Sequence, residues 1–196
     1  MKILVATGNQ HKAEEFARIF APDTIVTPSD LGINFDPEET ESTFFGNALI
    51  KARTLNELTK LPVIADDSGL CVDALNGEPG VHSARFGSTN GQELGSTERN
   101  ALLISRLKGE KARGARFICN MVLYLSKDRF ISAQETLEGE IVTHLGAGSG
   151  GFGYDPILFL PEFGKTVAEL SPEDKDCVSH RGKAAKIIKN ILNSLK

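Results

Sequence analysis

The chain has no tryptophan, two tyrosines, two methionines and three cysteines in 196 residues. Cys71, Cys119 and Cys177 lie far apart, form no C-x-x-C pair and leave an odd count, so they build neither a disulfide framework nor a zinc knuckle. A reducing, cytoplasmic setting is expected. Long apolar runs are also missing. Phe117 to Leu125 is broken by Asn120 and falls short of the roughly 20 residues that a spanning helix needs. Ile3 to Ala6 is too short for a secretory core. Neither a membrane nor a targeting role is expected. Nor does either sign of charge dominate. The 22 Lys and Arg against 26 Asp and Glu leave a net −4, which repels a nucleic-acid backbone over most of the surface. A polymer-coating role is excluded on that ground, while a small polyanion in a locally basic pocket is allowed.

What is present is an ordinary globular composition, 40% hydrophobic and 24% charged, with no repeat, low-complexity tract or linker. The length fits one domain, residues 1–196, with two small lobes allowed. Ile3 to Ala6 reads as a buried strand, followed by helical spacing of Ala13, Phe16, Ala17, Ile19 and Phe20 up to Pro22. Phe44 to Leu58 marks a long amphipathic helix capped by Ser42 or Thr43 and ended before Pro62. Val63 to Ala65 is a second buried strand that ends at Asp66-Asp67-Ser68-Gly69, with Leu70 to Val72 continuing beyond. Thr97 to Leu107 predicts a helix. Arg116 to Leu125, Phe130 to Thr136 and Glu140 to Leu145 then alternate as a meander, with turns at Lys127-Asp128 and Glu138-Gly139. A last helix carries Ala184, Ile187, Ile188, Ile191, Leu192 and Leu195 on one face. The mixture predicts an α/β fold around a mixed sheet with flanking helices.

Five constellations can carry chemistry. Thr7-Gly8-Asn9-Gln10-His11-Lys12 lies between a strand and a helix start, where orphan N–H groups and the helix dipole favour an anion. Its spacing is not that of a P-loop. Asp66-Asp67-Ser68-Gly69 puts two carboxylates at a strand end, where one can hold a metal and the other activate water. A single D-S-G leaves an aspartic-protease reading without its second carboxylate. Asp36, Glu38, Glu39 and Glu41 crowd the approach to the long helix, either as ordinary dipole partners or as contributors to an all-oxygen Mg²⁺ site. Lys51 on that helix is within reach of the same region. Gly146 to Gly151 matches G-x-G-x-x-G, but Phe152-Gly153-Tyr154-Asp155-Pro156 follows where a dinucleotide site needs a helix. Close backbone approach to a ligand with an aromatic stacking face fits better. Ser179-His180-Arg181-Gly182-Lys183 opens the last helix with Lys175 just before it, either as a capped start with surface cations or as a binding element. His180 and Ser68 lack an elbow motif and a third member for nucleophilic catalysis.

Together these segments resemble the inosine/xanthosine triphosphate pyrophosphatase family, the RdgB/HAM1-like house-cleaning nucleotidases. The resemblance runs through Thr7 to Lys12, Glu38-Glu39, Asn47-Ala48 to Lys51 and Ala65 to Leu70. It continues through Pro79-Gly80, Ser83-Ala84-Arg85, Gly150 to Pro156 and Ser179 to Gly182, in order along nearly the whole chain. It implies Mg²⁺-dependent hydrolysis of non-canonical purine nucleoside triphosphates such as ITP, dITP and XTP to the monophosphate and pyrophosphate. It also implies an elongated mixed sheet in two lobes with a central cleft, and a homodimer. By the resemblance, Thr7, Gly8, Asn9, Gln10, His11, Lys12 and Lys51 hold phosphates. Glu39 and Asp67 bind the metal, and Asp67 is also the general base. Ser68, Phe152, Gly153, Tyr154, Asp155, Lys175, His180 and Arg181 bind substrate, with His180 and Arg181 reading the 6-keto oxygen. The rival readings are a Maf-like pyrophosphatase for other modified nucleotides and a non-catalytic nucleotide sensor.

Overall fold

The computed structural model describes residues 2–89, 92–146 and 151–194. Residues 147–150 of the glycine-rich loop and Leu195 lie outside the described residues. Strand β1 (Lys2–Val5) leads into helix α1 (Gln10–Ile19), followed by a three-residue strand β2 (Thr24–Val26) that the pattern did not foretell. Helix α2 (Phe44–Thr59) is capped by Thr43, whose Oγ1 accepts from the Gly46 N–H at 3.1 Å. It ends at Lys60, which has φ +58°.

Strand β3 (Val63–Val72) runs without a break through the Asp-Asp-Ser-Gly segment, where the sequence suggested an end. Burial of nearly every residue, and partners for both carboxylates, override the local turn preference. Helix α3 spans Ser96–Arg106. Strands β4 (Gly114–Ser126) and β5 (Arg129–Ile141) form the expected hairpin over Lys127-Asp128, with Asp128 at φ +59°. The expected turn at Glu138-Gly139 is instead the interior of β5. A Cβ on Gly139 would lie 2.5 Å from the Phe159 carbonyl, so this glycine admits the neighbouring strand β6 (Leu158–Leu160) rather than a reversal. That strand, and not Glu140 to Leu145, follows β5 in the sheet, and β7 (Lys165–Thr166) follows it. Helices α4 (Pro172–Val178) and α5 (His180–Ser194) end the described chain.

The seven strands order as β2-β1-β3-β4-β5-β6-β7. β1 is parallel to β2 and β3, whereas β6 is antiparallel to β5 and β7, so the sheet is mixed. The chain divides into two compact units, one of residues 1–68, 119–135 and 176–196 and the other of residues 69–118 and 136–175. No helix among the described residues is long and apolar enough to cross a membrane.

In the first unit the two-residue period of the strands sorts side chains onto two faces. Ile3, Val5, Ile64, Met121 and Leu123 pack with Phe16 and Phe20 of α1 and Ala184, Ala185 and Ile188 of α5. Leu4, Ala6, Val63, Ala65 and Val122 pack with Ala48, Ala52 and Leu55 of α2. Each large side chain so buried contributes about 1.5–3 kcal/mol. Continued along β3, the alternation sends Asp66 to the α1/α5 face and Asp67 to the α2 face. In the second unit, Leu70, Val72, Leu103, Phe117, Ile157 and Leu158 are among the buried residues. There Arg113 binds the carbonyls of Leu107, Ile141 and Val142.

Candidate active site

The site begins where β1 stops. Val5 pairs with Ile64, the Ala6 N–H donates to the Ile64 carbonyl at 2.7 Å, and β3 then continues beyond the end of β1. Crevices at the carboxyl ends of parallel strands are the usual ligand sites of α/β sheets. Thr7 Oγ1 accepts from the Asn9 N–H at 3.1 Å, and Asn9 Oδ1 caps α1 by accepting from the Lys12 N–H at 3.2 Å. Gly8, Gln10 and His11 are exposed, and the Gln10 amide donates to Glu14. A capped helix start with an exposed glycine before it presents N–H groups and the positive dipole end to an anion.

On the α1/α5 face, Asp66 is 2% exposed and its Oδ2 is crowded with donors. Lys12 Nζ lies at 3.0 Å, Arg181 Nη2 at 3.0 Å, Arg181 Nε at 3.2 Å and Ser68 Oγ at 3.2 Å. Arg181 also donates through Nη1 to Glu15 at 2.6 Å and through Nη2 to Ser68 Oγ at 2.7 Å. Burial alone would raise the Asp66 carboxyl, but Lys12 and Arg181 outweigh it and hold it well below the carboxylate range. Burial pulls Lys12 below its ordinary value against the attraction of Asp66. It also pushes up the Cys119 thiol, which sits 3.9 Å from Asp66, so that sulfur is no thiolate at neutral pH.

On the α2 face, Lys51 Nζ donates to Glu39 at 2.7 Å and to Asp67 Oδ1 at 3.2 Å, while Asn47 Nδ2 reaches Asp67 Oδ2 at 3.4 Å. Asn47 and Lys51 are one helical turn apart, which puts both over the same carboxylate. Burial raises the Asp67 carboxyl, and Lys51 and Lys12 offset this only in part. Burial would lower Lys51, yet Asp67, Asp66 and Glu39 outweigh it and hold the ammonium above its ordinary value. Glu38 is exposed and Glu39 half-buried, so the extended approach to α2 turns Glu39 inward.

Among the described residues no three His, Cys, Asp or Glu side chains group as a metal cage. Mg²⁺ needs none, because it keeps waters and phosphate oxygens alongside one or two carboxylates. Glu39 and Asp67 converge on a single cationic atom, Lys51 Nζ, and their two charges exceed its one. This donor set is hard, all-oxygen and net negative, which fits that ion.

The second unit has its own cluster. Asp155 Oδ2 accepts from Lys175 Nζ at 2.7 Å and from the Phe152 N–H at 2.8 Å, and Lys175 Nζ lies 4.7 Å from the centre of the Phe152 ring. A Cβ on Gly151, which has φ +71°, would collide with the Asp155 carboxylate, so the loop closes this tightly only with glycine. Asn100 Nδ2 donates to the Gly153 carbonyl at 3.1 Å. The Tyr154 ring is buried, its hydroxyl donates to the Ser83 carbonyl at 2.8 Å, and burial pushes that hydroxyl up to about 12. The Tyr154 side chain thus belongs to the packing of the unit. Lys175, His180 and Arg181 are all buried, which removes the surface-cation reading of this segment. Ser179 Oγ accepts from the Gly182 N–H at 3.0 Å at the start of α5.

Two residues escaped the sequence reading, Glu15 and Asn100, and Asn47 stood in a resembling motif without a role assigned to it. Glu15 carried a signal, because it stands one turn after Lys12 and one turn before the apolar Ile19 on a helix, a position turned inward.

Residues 3–191 match the profile of the Ham1 family. The chain is 56% identical over 184 residues to a dITP/XTP pyrophosphatase of Treponema denticola, covering 94% of each sequence. Among solved structures it is similar to the Ham1 protein of Staphylococcus aureus, with a TM-score of 0.87, 37% identity and all of both chains covered. It is also similar to a Ham1 protein of Coxiella burnetii, with a TM-score of 0.88, 34% identity and 99% of each chain covered.

Proposed function

This chain belongs to the Ham1 family, and from that premise we propose that it hydrolyses dITP, ITP and XTP to the monophosphate and pyrophosphate with Mg²⁺. The relative named a dITP/XTP pyrophosphatase supports the substrate class. The observation that carries the chemistry is Asp67, a carboxylate raised by burial, opposite Glu39 and beside the anion-favouring start of α1.

In this reading the start of α1, Lys12 and Lys51 hold the triphosphate and offset charges that a net −4 protein would otherwise repel. Glu39 and Asp67 are the ligands for Mg²⁺, which when bound supplies phosphate neutralisation and a more acidic water. Asp67 takes the proton of the attacking water as the new P–O bond forms, and the P–O bond to pyrophosphate breaks. Phe152 offers a stacking face for the purine, the opposite face lying under Lys175. Lys175 and His180 are donors suited to a 6-keto oxygen and leave the 6-amino group of adenine without an acceptor. Arg181 is already bonded to Glu15, Asp66 and Ser68, which favours a role in holding these residues over one in reading the base edge. The free cysteines fit a reducing cytoplasm, and a homodimer belongs to the same reading.

The test is a panel of dITP, XTP, ITP, dATP and dGTP with Mg²⁺, read as pyrophosphate released. Preference for the first three over dATP is expected from the donors to the 6-keto oxygen, which dGTP also satisfies. Release of orthophosphate, or binding without release, would sink the proposal. Sedimentation of the same preparation reports the dimer.

A further inference from the structure

Glu15 is 4% exposed and accepts from Arg181 Nη1 at 2.6 Å, shorter than the bonds of this guanidinium to Asp66 and Ser68. A guanidinium facing a carboxylate ordinarily forms two parallel N–H···O bonds, one to each oxygen. Here Nε and Nη2 both turn to a single oxygen, Asp66 Oδ2, while Nη2 also reaches Ser68 Oγ at 2.7 Å. The guanidinium is planar and rigid, so pinning Nη1 fixes where its other two nitrogens point. We propose that Glu15 is a positioning residue for triphosphate binding, acting through Arg181 to place Ser68 and to leave Asp66 satisfied when Lys12 turns to a phosphate. The proposal rests on the reading that Lys12 and Ser68 bind the triphosphate.

The placement follows from the fold. Lys12 and Glu15 sit one turn apart on α1 and face the same side of the sheet as Asp66, to which α5 brings Arg181. Glu15 and Asp66 balance Lys12 and Arg181 in charge. When Lys12 leaves Asp66 for a phosphate, Arg181 still covers Asp66 and Glu15 still holds Arg181. Without an acceptor at position 15, the guanidinium is free to pair with both oxygens of Asp66 and let Ser68 go.

The experiment compares Glu15→Leu with Glu15→Gln. Both remove the charge and only leucine removes the acceptor, so the difference between them isolates the hydrogen bond. The readouts are KM and kcat for dITP and, by calorimetry, the Kd of inorganic tripolyphosphate, which needs neither base nor turnover. Glu15→Leu should raise KM and the tripolyphosphate Kd about 10-fold relative to Glu15→Gln, with kcat within about 3-fold, because Asp67 lies on the other face of the sheet. Glu15→Asp keeps the charge but withdraws the oxygen by one methylene, and should show the same rise if the leucine variant does not fold. Equal KM and Kd in all variants, or a fall in kcat and thermal midpoint at constant KM, would overturn the proposal in favour of a purely structural acid. A wild type inert on dITP that still binds tripolyphosphate would count against the proposed reaction alone, and the calorimetric comparison would still decide Glu15.

Discussion

Asp66 and Asp67 are chemically identical neighbours on one strand, yet their surroundings push them in opposite directions. Asp66 meets two cations and a hydroxyl, within a cluster whose charges balance, and its carboxyl is held well below the ordinary value. Asp67 shares one lysine with Glu39, in a group with one negative charge to spare, and its carboxyl is raised. The difference comes from the pleat. Alternation turns an Asp-Asp dipeptide into one residue facing α1 and α5 and one facing α2. Two carboxylates whose environments separate their acidities are the usual mark of divided labour, which is the division the proposed function assigns to them.

Substitutions can break that comparison. The largest effect is expected from Asp67→Asn, which should lower dITP turnover about 10²–10⁴-fold because the proton acceptor is lost. Its calorimetric midpoint should hold or rise, since the fold disfavours a charge at this position. A variant that unfolds while its remaining enzyme turns over normally would reverse the assignment. Next comes Asp66→Asn, which removes the carboxylate that Lys12 and Arg181 share. Breaking such a buried pair should cost about 3–5 kcal/mol in urea denaturation. A cost under about 1 kcal/mol, the range of exposed pairs, would mean that the network is not holding the fold.

The smallest effect sharpens the contrast through pH. Unfolded aspartate titrates near about 3.9. Because folded Asp66 lies below that value, its contribution is complete above it and is lost as pH falls toward the folded value. Folded Asp67 lies above it, so the native state binds the proton first and gains stability as pH falls through its own titration. Unfolding free energy of wild type minus Asp66→Asn should therefore shrink toward acid. The same difference against Asp67→Asn should grow. Parallel slopes in metal-free protein would show that the two environments are alike.

Much of this was legible beforehand. The strand and helix periods, the Thr43 cap, the hairpin at Lys127-Asp128 and the two carboxylates on an apolar strand are local features, and local rules reached them. What escaped was set by distant packing. Asp-Ser-Gly reads as a turn until partners on both faces hold it in a strand. Gly139 reads as a turn until β6 comes close enough to forbid a side chain. Glu15 stands at an inward helical position, but its partner is set only when Arg181 arrives from the far end of the chain. For Arg181, residue type alone suggests a donor for a ligand, and only the neighbours reveal its bonds to Glu15, Asp66 and Ser68.

The first unit is assembled from three stretches separated along the chain, and Arg181 bonds to Asp66 across 115 positions and to Glu15 across 166. A ribosome delivers these parts in a fixed order. Residues 1–68 emerge carrying both acids and Lys12, and their remaining counter-charge is made more than a hundred residues later. Until α5 docks, Asp66 and Glu15 lack the guanidinium that both of them bind in the finished unit. Pairing of the two acids buried on this face is thereby tied to the arrival of α5, the final helix of the described chain.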